Sequence, residues 1–298
     1  MRALAPDPAA RGLFDDAAVL ELGGETLVLT HDMIVEGVHF LPNDPPGDVA
    51  WKLVAVNLSD LAAKGARPIG ALLGFTLGDA DWDRAFAKGL GEALAAFGLP
   101  LLGGDTVSSP TRALGLTAIG RAAGPVPARS GARPGDRLWV SGTIGDAGAG
   151  LRILKGELGA GDALVERYRT PRPRLEAGER LAPLVHAMMD VSDGLLIDAA
   201  RMAAASGCAA AIELDAVPLS DAYRALLGEA RLEAATAGDD YELLFAAPEE
   251  QAPAIIALAE EIGLPFTCIG GFEAGAGLSL TERGKPVPLP ARLGFEHG

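Results

Sequence analysis

The chain has 298 residues, 49% of them hydrophobic, with 40 acidic side chains against 25 basic ones and a formal charge of −15. That apolar content is enough for a real core and excludes a disordered protein, and the length allows two domains. A surface this acidic repels phosphate backbones and anionic membranes, so nucleic acid and membranes are excluded as partners, whereas polyphosphates remain open if divalent cations intervene.

Short β-like runs alternate with longer helical patterns along the chain. From the N-terminus, "TLVLTH", "ALLGFTL", "LPLLGG", "LGLTAIGRA", "RLWVSG", "ELLFAAP" and "FTCIGG" read as strands. Helices are expected at 50–64, 82–97, 146–156, 174–188, 194–206 and 249–262. In the first of these, Trp51, Val54, Ala55, Leu58, Leu61 and Ala62 share a face, and Gly65 followed by Pro68 ends the helix. Asn57, Asp60 and Lys64 fall on a neighbouring face. The turn-rich stretch "ARSGARPGD" marks a boundary, which puts one domain at 1–130 and another at 131–298. The mixture implies α/β or α+β architecture. The Ala-rich patch at 203–211 reads as small-residue packing. Cys208 and Cys268 lie far apart and form no CxxC, which argues against a disulfide framework or a zinc site. Together with the lack of an apolar run near ~20 residues and of a signal-peptide pattern, this leads us to expect a soluble, cytoplasmic protein.

Carboxylates repeatedly follow apolar or Gly-rich segments: Asp15 and Asp16 in "LFDDAAVL", Asp32 in "VLTHDM", Asp60 in "VNLSDLAAKG" and Asp105 in "LLGGDT". Asp190 and Asp193 in "MMDVSDGL" and Asp239 and Asp240 in "AGDDYELLF" continue the pattern. At strand ends and helix starts such groups converge on one cleft in an α/β fold. Bare, they would raise one another's pKa values; a divalent cation resolves this, and oxygen-only ligands select magnesium, manganese or calcium over zinc. Taken singly, each Asp reads as a cap, a turn residue or a solvated charge. Asp198 is expected at the surface, Asp146 as a helix cap, and His186 as a structural residue in a helix. The glycines of "SGTIGDAGAGL" fit either a phosphate cradle or close helix packing. Gly103 and Gly104 fit either a close phosphate approach or a tight turn. No P-loop or protein-kinase motif is present. On a strand His31 and Asp32 point to opposite faces, which argues against a transition-metal site with His39. Composition and spacing lead as far as magnesium-dependent phosphate chemistry.

The segments "DDAAVL", "DMIVEGVHF", "WKLVAVNLSDLAAKGARP", "LLGGDT", "RSGARPGD", "VSGTIGDAGAGL", "DVSDGL" and "GDDYELLF" occur in the order seen in thiamine-monophosphate kinases, and the resemblance spans residues 15–297. It implies an α/β (α+β), two-domain, PurM-like fold of the kind found in aminoimidazole ribonucleotide synthetase. The N-terminal mixed sheet would build a homodimer barrel and carry metal and ATP, followed by a C-terminal α/β domain. It further implies phosphorylation of thiamine monophosphate to thiamine diphosphate by ATP, with several Mg2+ ions. By motif position, Asp16, Thr30, His31, Asp32, Asp60, Asp105, Asp190 and Asp193 would form the magnesium sites, with Asp193 and Asp105 central to catalysis. Gly104, Asp105, Arg129 and Ser192 would contact ATP; His39, Asp239 and Phe295 would contact the thiamine phosphate. Asp193 is also a candidate helix cap. Three positions depart from the family pattern: Phe14 stands where Gly is common, His31 where Thr is usual, and Asp239 where Glu is commoner. The rival readings are a purine-pathway or hydrogenase-maturation enzyme of the same superfamily, or a non-catalytic nucleotide- and metal-binding protein. The ending "GFEHG" lacks the terminal Cys expected of the maturation enzyme.

Overall fold

A computed structural model describes residues 2–296. Five strands, β1 (Ala18–Leu22), β2 (Glu25–Val35), β3 (Ala66–Leu77), β4 (Leu101–Ser108) and β5 (Ala113–Ala122), form a mixed sheet in the order β1-β2-β5-β3-β4. Its helices are α1 (Pro46–Ala63) and α2 (Ala80–Ala96). A second sheet has the order β12-β11-β8-β10-β6-β9-β7, built from β6 (Arg137–Ser141), β7 (Ala187–Asp190), β8 (Ala209–Glu213), β9 (Leu243–Ala247), β10 (Phe266–Glu273), β11 (Gly277–Glu282) and β12 (Lys285–Val287). Around it lie α3 (Asp146–Leu154), α4 (Asp162–Arg169), α5 (Leu175–Leu181), α6 (Leu195–Ser206), α7 (Asp221–Leu227), α8 (Arg231–Thr236) and α9 (Ala252–Ile262). The expected α/β (α+β) class is what the chain adopts.

Helix α1 organises the molecule. Pro46 opens it with a preset φ, and Gly65 follows its end at φ 61. A Cβ at Gly65 would stand 2.6 Å from the Ala182 methyl, so glycine there serves both the turn and the contact with the segment after α5. Contacts run from α1 to β2 and β5 on one side and to α2, α5 and β7 on others, leaving almost no solvent-facing stripe. A helix enclosed on all sides carries its polar residues inward. Asn57 and Lys64 are fully buried and Asp60 nearly so, which makes the Asn57–Asp60–Lys64 face an interior one.

Several expectations change. The helix expected at 174–188 stops at Leu181, and residues 187–190 form β7, buried and paired antiparallel with β9. The apolar run "AMM" suits a fully buried strand as well as a helix, and the covering sheet decides. His186 therefore precedes a strand, with Nδ1 3.0 Å from the Asp136 carboxylate. Part of the Ala-rich 203–211 patch is β8, whose short side chains admit β10 and β11 on either side. Gly103 and Gly104 lie within β4 and form no turn; a Cβ at Gly104 would stand 1.9 Å from the Leu73 carbonyl oxygen, so the close approach is to β3. The glycines of "SGTIGDAGAGL" serve packing. A Cβ at Gly145, Gly148 or Gly150 would collide with Ala234, Ala237 or Leu164, and the Gly145 and Ala147 amides donate to the buried Asp240 carboxylate. Asp146 is accordingly no cap: its carboxylate accepts from Thr143 and Ser220 hydroxyls.

Candidate active site

The carboxylates that the sequence scatters meet where α1 passes between the sheets. Asp16 lies just before β1, Asp60 is on the inner face of α1, and Asp190 ends β7; each offers an oxygen, and these lie within 4.8 Å of one another. Thr30 on β2 donates its hydroxyl to Asp60, and Ser59 donates to Asp190 at 2.6 Å. The two helix neighbours Ser59 and Asp60 thus both serve the cluster.

The charges are unevenly compensated. Burial works against ionisation of Asp16, but Lys64 at 2.7 Å and the Arg129 guanidinium overcome it and hold its pKa below the ordinary value. Asp60 has no such partner: burial, then repulsion from Asp32, Asp190 and Asp16, pushes it well above 3.8. Asp190 is pushed up to about 8, mainly by burial and then by Asp16, with Ser59 opposing. Burial and the Asp16 charge also raise Asp32, with Asp193 adding to the effect. A pocket of oxygen donors that resist sharing negative charge suits a hard divalent cation.

Beside the cluster opens a cleft of about 570 Å³ lined by Asp32, His39, Ser192, Asp193, Asp239, Tyr241 and Phe295, among others. Its floor is the "DVSDG" turn between β7 and α6. Asp198, expected at the surface, is fully buried and reaches back from α6 to accept the amides of Ser192, Asp193 and Gly194 at 3.2, 3.1 and 3.2 Å. Burial pushes its pKa up to about 7, against the opposing charge of Arg201. The capping carboxylate is therefore Asp198. Asp193 makes no cap hydrogen bond; its carboxylate pairs with Arg201 at 2.5 Å and stays partly exposed to the cleft. Phe295 returns from the C-terminal segment, its amide donating to the Asp193 carbonyl at 2.8 Å.

The opposite wall is "GDDYELLF". Asp240 and Glu242 point inward, Asp240 to the start of α3 and Glu242 to Arg167, Arg174 and Ser141. Asp239 and Tyr241 face the cleft, both at positive φ (70 and 51). Such backbone is costly outside glycine and persists only where surrounding bonds hold it. The buried partners of Asp240 and Glu242, and amide bonds from Asp239 and Tyr241 to the Ser192 and Val191 carbonyls, provide that hold.

Among the residues expected at the site, Asp16, Thr30, Asp60 and Asp190 are brought together, and Asp32, His39, Ser192, Asp193, Asp239 and Phe295 line the adjoining cleft. Arg129 stands at the cluster, paired with Asp16. The His31 side chain does not join them: it is exposed, with Nδ1 2.9 Å from the Thr117 hydroxyl on β5, while Thr30 is buried on the other face. Alternation along β2 leaves only its main chain near the cluster. Asp105 and Gly104 sit exposed on the edge strand β4, three strand spacings or roughly 14 Å from β2. The Asp105 carboxylate accepts the Thr106 amide. Sequence reasoning left Lys52, Ser59 and Tyr241 out of the site. The signal for Lys52 and Ser59 was that polar residues of α1 fall on a second face as well as on that of Asn57, Asp60 and Lys64.

Residues 14–122 match the AIR synthase related protein N-terminal domain, and residues 133–283 match the AIR synthase related protein C-terminal domain. The thiamine-monophosphate kinase of Caulobacter vibrioides is 44% identical, with 98% of this chain and 86% of that protein covered. That of Escherichia coli K12 is 40% identical, with 96% and 91% covered. Among solved structures, thiamine-monophosphate kinase from Stenotrophomonas maltophilia K279a superposes with a TM-score of 0.82 at 41% identity, covering 96% of this chain and 94% of that one. AaThiL complexed with AMPPCP and TMP superposes with a TM-score of 0.83 at 32% identity, covering 95% and 91%. The aligned family models, the near-complete coverage and the shared two-sheet fold agree: this chain belongs to the thiamine-monophosphate kinase family.

Proposed function

We propose that the chain transfers the γ-phosphoryl group of ATP to the phosphate of thiamine monophosphate, giving thiamine diphosphate and ADP by direct transfer. The observation that carries this reading is the group of buried carboxylates Asp16, Asp60 and Asp190 beside a cleft large enough for a phosphorylated ligand. Asp16, Asp32, Asp60, Asp190 and Asp193, with the Thr30 hydroxyl, would hold magnesium, which supplies charge neutralisation between two polyanions. The acceptor needs no dedicated base, since a phosphate monoester has a second pKa near ~6 and is largely dianionic at neutral pH. The protein's task is alignment: Ser192 and Asp193 on the floor, His39 and Asp239 on the walls, Phe295 at the rim for the aromatic ring. Arg129, with its fork of donors, suits a phosphate once cations relieve Asp16 of its pairing. Asp105 and Gly104 belong to the same proposal as nucleotide-end residues.

The proposal extends to a homodimer formed through the N-terminal sheet. Met33 and Leu72 on strands, and Leu101, Leu102 and Val107 on the β4 edge, are all exposed, an apolar surface that a lone chain leaves wet. The division into domains at 1–130 and 131–298 is supported by the partition of strands, β1–β5 ending at Ala122 and β6–β12 starting at Arg137. A cytoplasmic location accords with two unpaired cysteines and with the absence, among the described residues, of any helix long and apolar enough to cross a membrane. Incubation with ATP, magnesium and thiamine monophosphate tests the central reading. Thiamine diphosphate and ADP should appear in equal amounts, and no product at high enzyme concentration would refute it.

A further inference from the structure

We propose that Lys52 is a positioning residue that ties the two walls of the cleft together, holding Asp239 and the His39 main chain at the separation that thiamine monophosphate requires. The inference rests on the kinase reading above and adds a residue to it. Lys52 projects from α1 and is only 2% exposed. Its ammonium donates to the His39 carbonyl at 3.0 Å and to Asp239 Oδ2 at 3.0 Å, and it lies 3.8 Å from the centroid of the Tyr168 ring. An ammonium has three donors and a strong demand for hydration, so burying one requires a replacement on every side. Two hydrogen bonds and the negative face of an aromatic ring supply it. The Tyr168 hydroxyl also reaches the His39 carbonyl, at 3.4 Å, so ring and ammonium converge on the same atom.

The partners come from opposite halves of the fold. His39 follows β2 of the first sheet, Asp239 precedes β9 of the second, and 187 residues separate Lys52 from Asp239. Asp239 holds a left-handed backbone and uses both carboxylate oxygens, one for Lys52 and one for the Tyr241 hydroxyl at 3.1 Å. Without Lys52 the side chain keeps one tether, and the strained backbone loses the bond that joins it to the N-terminal half. The predicted consequence falls on the ligand touching His39 and Asp239, and spares ATP and magnesium at the carboxylate end.

The test is steady-state kinetics on Lys52→Met, which keeps most of the stem and removes every donor, with Lys52→Arg beside it, which keeps a cation over the Tyr168 ring. For Lys52→Met, KM for thiamine monophosphate should rise at least tenfold, with KM for ATP and kcat within threefold of the parent. Lys52→Arg should show a smaller rise in the same constant alone, and it decides the matter by the same split if the Met variant fails to fold. Hydrogen exchange of the Asp239 and Tyr241 amides gives a readout independent of turnover and should quicken in either variant. Unchanged exchange, or a proportionate change in both KM values and kcat, would overturn the assignment. A parent enzyme with no turnover, combined with quickened exchange in the variants, would instead count against the kinase reading and leave the tie between the walls standing.

Discussion

Replacing Asp198 by Ala should destabilise the protein and loosen the floor of the cleft. The Asp198 carboxylate accepts three main-chain amides, from Ser192, Asp193 and Gly194, and also pairs with Arg201 at 2.8 Å. Alanine removes their fully buried acceptor and leaves the three donors without a protein partner. At about 1 kcal/mol for each lost bond, the sum is about 3 kcal/mol. Unfolding entropy of about 2.1 cal/mol/K per residue over a chain of this length converts that into a fall of about 5 °C in Tm. Asp198→Asn keeps a carbonyl oxygen for the amides but turns an NH2 towards Arg201, so its loss should be about half as large. Differential scanning calorimetry of the metal-free protein measures both. An Ala variant melting within about 1 °C of the parent would refute the reasoning, because it would mean that the turn satisfies its amides without Asp198.

Asp193→Asn should lower turnover on the order of a hundredfold or more while Tm holds, since shape survives and charge does not; near-normal turnover at ordinary magnesium would reduce Asp193 to a partner of Arg201. The metal-free protein should lose stability as pH rises from 6 to 8. Asp190 titrates near 8 when folded and near its ordinary 3.8 when unfolded, so across that window the folded state holds a proton that the unfolded state has released. The linkage comes to about 2 kcal/mol for this one group. Saturating magnesium should flatten the slope, and a flat melting profile in EDTA would contradict it. Glu242→Ala leaves Arg167 and Arg174 without their buried acceptor and should cost about 3–5 kcal/mol in urea unfolding, with Glu242→Gln costing less.

Much of the fold is legible residue by residue. Strand alternation places β2, β3 and β5, and the same alternation correctly separates His31 from Asp32. The C-terminal end of α1 follows from Gly65, whereas its start at Pro46 lies four residues before the expected 50. The order of the motifs identifies the family. Other features resist the same reasoning. The "AMM" run before Asp190 is apolar without period, so nothing local separates strand from helix, and only pairing with β9 makes it a strand. Asp198 has the spacing of a solvated helix residue, yet its acceptors face amides four to six positions earlier because the chain doubles back there.

By itself the amino-acid sequence determined which residues prefer helix or strand, which positions carry oxygen ligands, and that the surface would be strongly acidic. These properties reside in single side chains and in their spacing over a few residues. Tertiary structure alone decided that Asp16, Asp60 and Asp190 meet, that Lys52 and Lys64 are buried, and that His31 faces away from the carboxylates while Asp105 stands at a sheet edge. Periodicity states that a face is covered but not what covers it. Two sheets closing over α1 turned its polar stripe from a solvent face into the wall of a charged site.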